Sequence, residues 1–125
     1  MVALRILILE DSQSRIESFK KTYKHHNLSF AETHEQAIKM IEERFDSFDI
    51  IFLGGDRNCK TSGKDWGVYH VAKYLTENPG KQPVIVVLHT GNELKESICC
   101  KLLKKNDIAV TQDKYAWNRN IIHLL

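Results

Sequence analysis

Three short stretches carry residue types able to do chemistry: Glu10-Asp11, Gly54-Gly55-Asp56 and His89-Thr90-Gly91-Asn92. Carboxylates at a strand end can hold a hard divalent cation, and Mg²⁺ wants oxygen ligands in near-octahedral geometry at about 2.1 Å. Glu10, Asp11 and Asp56 offer three such groups, so Mg²⁺ or Mn²⁺ is the cofactor to expect if they converge. A histidine and a hydroxyl ahead of a helix could hold a phosphate through His89, Thr90 and the free backbone N–H groups near Asn92. His89 could also act as general acid or base near neutral pH. Plainer readings stand beside these: Asp11 suits a cap on the first helix, and Thr90 or Asn92 a cap on the fourth. Ser62-Gly63-Lys64 is not a phosphate loop, because the spacing is wrong and Asp65 stands where Ser or Thr is needed.

The elements that must position these residues follow from hydrophobic period. Leu4 to Leu9 reads as a central strand buried on both faces. Ile16, Phe19 and Tyr23 then recur at helix spacing, and Leu28 to Ala31 is a short second strand. Thr33 with Gln36 matches a capping box, opening a helix with Ala37, Ile38, Ile41 and Phe45 inward. Asp49 to Leu53 is the third strand, followed by a polar loop to about Lys64 and a helix carrying Val68, Val71, Ala72 and Leu75. Trp66, at the end of that loop, could cover a ligand ring or pack on the helix. Pro83 to Leu88 is the fourth strand. The fourth helix runs from Asn92 to about Lys105, with Leu94, Ile98, Leu102 and Leu103 inward. Ile108 to Val110 is a weak fifth strand, and Trp117 to Leu124 a short fifth helix.

Strands alternating with helices argue for an α/β domain with a parallel sheet covered on both faces. Right-handed crossovers leave few topologies, and the flavodoxin-like order 2-1-3-4-5 is the common one at this size. Its switch point lies between the first and third strands, so Glu10-Asp11 and Gly54-Gly55-Asp56 are expected to share a crevice. The 125 residues suit one domain spanning 1–125. With 18 basic and 16 acidic side chains, the net charge of +2 carries no signal for nucleic acid or a membrane surface. Cys59, Cys99 and Cys100 form no metal or disulfide pattern. With no signal-peptide pattern and no spanning apolar run, the cytoplasm is the expected location.

Over nearly the whole length, these segments resemble response-regulator receiver domains. Ile6 to Asp11 is similar to their first strand and acidic pair, and Asp49 to Gly54 to their third strand. A closer resemblance is to a receiver-like family predicted to process cyclic phosphates, whose third strand reads Ile-Phe-Leu-Asp-His-Asp. Here that segment is Ile51-Phe52-Leu53-Gly54-Gly55-Asp56, with Val71-Ala72-Lys73-Tyr74-Leu75 and His89-Thr90 matching the family's later helix and strand end. The departures are as informative. The resemblance puts the phosphate-accepting aspartate of receivers at Gly54 and the second family's histidine at Gly55, and both side chains are missing. The lysine that receivers carry after the fifth strand has no counterpart in Val110-Thr111-Gln112.

Two functions are therefore expected. The first is a degenerate receiver that cannot be phosphorylated on the third strand and acts by binding a protein partner, without enzymatic activity. Lys101, Lys104, Lys105 and Trp117 lie on the side that receiver-like folds use for partners. The alternative is metal-assisted binding or processing of a cyclic phosphate or nucleotide, a phosphodiesterase-like activity. Glu10, Asp11 and Asp56 would then hold the metal, Gly54, Gly55, His89, Thr90 and Asn92 would line the ligand site, and His89 and Asp56 would be the catalytic candidates.

Overall fold

The first strand, β1 (Arg5–Leu9), is buried on both faces because its alternate side chains meet different helices. The structure, a computed structural model, describes residues 3–44, 46–54 and 67–124. Around β1 stand β2 (Asn27–Ala31), β3 (Ile50–Leu53), β4 (Ile85–Leu88) and β5 (Val110–Gln112), interleaved with helices α1 (Gln13–Thr22), α2 (His34–Glu43), α3 (Gly67–Glu77) and α4 (Glu93–Lys105). All neighbouring strands run parallel, in the order β2-β1-β3-β4-β5 expected from the sequence.

Leu7 and Leu9 of β1, Ile51 and Leu53 of β3, and Val86 and Leu88 of β4 pack against α2, α3 and α4. Ile6, Ile8, Ile50, Phe52 and Val87 point the other way, to Phe19 of α1, to Tyr23 that caps it, and to Ala116 and Ile121 of the C-terminal segment. This strict alternation turns a near-continuous apolar run into two cores, one on each side of the sheet.

Local signals set the helix ends. Thr33 accepts the Gln36 backbone N–H at 3.2 Å, and the Gln36 side chain takes the Glu32 N–H at 2.8 Å, so the capping pair works much as expected. At the end of α4, Asp107 adopts φ 60°. Ile108 N–H bonds Leu103 O at 3.0 Å and Asp107 N–H bonds Lys104 O at 3.1 Å, the paired bonds of a Schellman ending. Ile108 is thereby driven into the core beside Leu103.

Three expectations need correction. Ile108 and Ala109 belong to this helix ending and its exit, so β5 begins only at Val110. Trp117 to Leu124 is not an α-helix: a turn closes at Asn118, irregular chain follows, and one 3-10 turn spans Ile122–Leu124. The Tyr23 hydroxyl takes the place of helical bonding there, contacting Ala116 O at 2.7 Å and Arg119 O at 3.0 Å. Burial pushes that phenol up to about 12, against a helpful bond from the Ile121 N–H, so it remains a donor at any ordinary pH. Finally, the inner stripe of α4 is Lys95, Cys99 and Leu103, whereas Leu94 is 63% exposed.

Candidate functional site

The strand register builds the site. Leu9 pairs with Leu53, and Leu53 with Leu88. The ladder continues one residue further, through Gly54 N–H to Leu9 O at 3.0 Å and His89 N–H to Leu53 O at 2.9 Å. Glu10, Gly54 and His89 therefore form one row across the carboxyl ends of β1, β3 and β4. Because faces alternate, this row faces the α1 side, opposite Leu9, Leu53 and Leu88.

Glu10 and His89 lie on either side of Gly54, about 9.6 Å apart by strand spacing, yet their side chains meet. His89 Nε2 is 3.1 Å from Glu10 Oε1, and both residues are wholly buried. The imidazole reaches across by lying over Gly54. A Cβ at residue 54 would stand 2.3 Å from His89 Nε2 and 2.7 Å from Cε1, an impossible overlap. Glycine is required here by close approach: the ring fills the space in which a third-strand side chain would begin.

The pair is held from all sides. Phe19 meets the His89 ring edge to face with centroids 5.2 Å apart, and Phe52 does so at 6.2 Å. The second carboxylate oxygen of Glu10 accepts the N–H groups of Asp11 and Ser12 at 3.0 and 3.1 Å, tying down the entry to α1. Arg15 of α1 places a guanidinium nitrogen 3.7 Å from Glu10 Oε1 and stacks over Trp117 at 5.6 Å. Burial alone would raise the Glu10 carboxyl; the His89 contact, the Ser12 N–H and Arg15 together hold it below the ordinary carboxylate range. Among the described residues, His89 Nδ1 has no hydrogen-bond partner.

The other predicted residues divide clearly. Asp11 is half-buried beside the row, and the cap position of α1 falls to Ser12. Thr90 accepts the Asn92 N–H at 3.0 Å, Asn92 caps α4 by accepting the Lys95 N–H at 3.0 Å, and Glu96 accepts the Gly91 N–H at 3.1 Å. The Gly91, Asn92 and Lys95 N–H groups are thus engaged within the turn itself. Gly55, Asp56 and Trp66 lie outside the described residues. Among the described residues no group of three His, Cys, Asp or Glu side chains is arranged to hold a metal ion.

Lys101 and Lys104 are exposed and line a groove of about 650 Å³ between α4 and β5, where Lys114 joins them opposite Glu93 and Glu96 near the start of the helix. Lys105 is exposed on the same helix, whereas Trp117 packs on the α1 side of the sheet, away from the lysine groove. Sequence reasoning missed Arg15 and Lys95. Lys95 is only 6% exposed in the first turn of α4, and its i, i+4, i+8 spacing with Cys99 and Leu103 was the available signal.

No protein-family model matches the sequence. No curated protein matches it either. Solved structures do resemble it. The signal receiver domain of a protein named as a Luxo repressor, from Vibrio parahaemolyticus, superposes with a TM-score of 0.59 at 19% identity, over 90% of this chain and 79% of that one. A two-component response regulator from Legionella pneumophila gives a TM-score of 0.59 at 18% identity, over 90% of this chain and 88% of that one. No helix among the described residues is long and apolar enough to cross a membrane. Strand order, parallel pairing and these likenesses agree: the chain has the receiver fold.

Proposed function

We propose that this domain is a regulatory module on the receiver fold that does not accept phosphate at the end of β3 and works by binding a partner. The observation that carries this is the His89 ring lying over Gly54, 2.3 Å from where a Cβ would be. Phosphate transfer to a carboxylate needs that side chain presented to solvent and metal. Here the position has no side chain, and its space is filled by a buried imidazole held by Glu10. Partner binding falls to the exposed Lys101, Lys104 and Lys105 on and beside the α4–β5 groove, whose ammonium groups suit an acidic segment. Incubated with acetyl phosphate and Mg²⁺, the protein should keep its intact mass and take no acid-labile label; a stoichiometric label would overturn the reading.

A second reading rests on Asp11 and Thr90, which follow the buried row on β1 and β4 and keep part of their surface exposed. With Asp56, these would hold Mg²⁺ or Mn²⁺ and a cyclic phosphate or nucleotide, and His89 would serve as the nearby base. Calorimetry with Mn²⁺ and cyclic nucleotides, with turnover followed in the same samples, tests it. Binding should vanish in an Asp11→Asn, Asp56→Asn variant. Absent binding in the wild type, or unchanged binding in the variant, removes the idea.

A further inference from the structure

Away from the Glu10–His89 row, two more histidines meet. His34 opens α2 just beyond the end of β2, and His70 lies in the first turn of α3. Their rings stack at 4.6 Å between centroids with planes only 20° apart. They come from different helices, at the same end of the sheet as the row. We propose that this pair is a capture site for a divalent transition ion of the Zn²⁺, Ni²⁺ or Cu²⁺ class, clamping α2 to α3.

Imidazole nitrogen suits these ions, whereas carboxylates and water suit Mg²⁺ and Ca²⁺. Two nitrogens bound tetrahedrally to one zinc, each at about 2.0–2.1 Å, lie about 3.4 Å apart. The 4.6 Å is a centroid distance, and the stacked rings do not yet converge on one point; both are half-buried, so rotation about the Cα–Cβ and Cβ–Cγ bonds can turn one nitrogen of each towards a shared ion.

His34 Nε2 lies 2.9 Å from the Glu35 carboxylate. A carboxylate this close can turn to accept a ring N–H and orient a metal-binding histidine, which would present His34 Nδ1 to the ion. Glu35 is thus an orienting group; water completes the coordination shell of the two-histidine site. The surrounding groove, of about 770 Å³, is lined by Glu35, Glu42, Glu43 and Glu77 against Lys39 and Lys73, four carboxylates to two ammonium groups. That excess attracts a cation to the stacked rings.

The test is calorimetry of the full chain with Zn²⁺ and with Ni²⁺, under a non-thiol reductant. The expected result is one ion per chain and a rise in the unfolding temperature. His34→Ala and His70→Ala should each weaken binding at least tenfold, and His70→Gln should do the same while keeping the ring's bulk. His25→Ala, Cys100→Ser and Asp11→Asn should leave it unchanged. The Asp11→Asn control separates this site from any metal at the β1–β3 crevice, so either can fail without the other. Circular dichroism checks that the histidine variants fold. No binding by the wild type, or binding that survives loss of both histidines, overturns the proposal.

Discussion

Replacing Glu10 by alanine should lower the unfolding free energy by about 1–3 kcal/mol or more, the cost of leaving buried hydrogen-bonding groups without their partner. The loss is large because one carboxylate has several partners. His89 would keep its buried position without an acceptor for Nε2, the Asp11 and Ser12 N–H groups would lose theirs, and Arg15 would face an apolar wall. Glu10→Gln should cost less, since an amide oxygen can still accept the two backbone N–H groups. Urea unfolding at neutral pH reads both differences.

The same pair gives a pH signature of known sign. The folded-state Glu10 carboxyl is held below its ordinary value. A depressed acid stabilises the fold at pH values above its unfolded pKa, about 4.3. That contribution is lost as pH falls from there through the folded-state value. Glu10→Gln should therefore remove part of the acid-side loss of stability, and its stability should converge on that of the wild type below about pH 4. Equal spacing between the two curves down to pH 2 would mean that the carboxylate's charge contributes nothing.

Gly54→Ala is the second large effect, expected to cost about 1–3 kcal/mol or more, as overpacking does in a filled core. Its methyl group would arrive 2.3 Å from His89 Nε2. That atom is not the loose end of a mobile chain: the ring is wedged between Phe19 and Phe52 and bonded to Glu10. The backbone at Gly54 cannot retreat easily either, since its N–H bonds Leu9 O within the sheet. A lowered urea midpoint with an unchanged m-value is the expected reading. Gly54→Asp adds a buried charge to the same collision and should be worse.

The fold was legible because hydrophobic period carries it. Runs such as Ile6 to Leu9 and Ile50 to Leu53 admit few positions other than the centre of a parallel sheet. The C-terminal segment was less legible. Trp117 to Leu124 has the spacing of a helix, but the Arg119 carbonyl, with that of Ala116 just before the segment, meets a tyrosine hydroxyl far away in sequence, which no local pattern reveals. On α4 Leu103 is buried as expected and Ile98 and Leu102 pack against the core in part, but Leu94 gives way to Lys95, a reversal that only tertiary packing reveals.

At the site, each member of the row was visible as a strand-end residue, but their relation was not. Gly54 reads in sequence as a missing nucleophile. In the folded chain it is also the gap through which His89 reaches Glu10, and that follows only once the register Leu9–Leu53–Leu88 is known. Of the N–H groups near Asn92, those of Gly91, Asn92 and Lys95 are claimed by Glu96, Thr90 and Asn92. Sequence marks such residues as ligand groups or caps with equal ease.

The central claim is that His89 occupies the room a residue-54 side chain would need. A double-mutant cycle tests it most directly, by urea unfolding of the wild type, Gly54→Ala, His89→Ala and the double variant. His89→Ala alone strands Glu10 and leaves a void, and Gly54→Ala alone collides with the ring. Together each relieves part of the other's defect, so the double variant should be more stable than the sum of the single losses, by about 1–3 kcal/mol of coupling. Strictly additive losses would contradict the account.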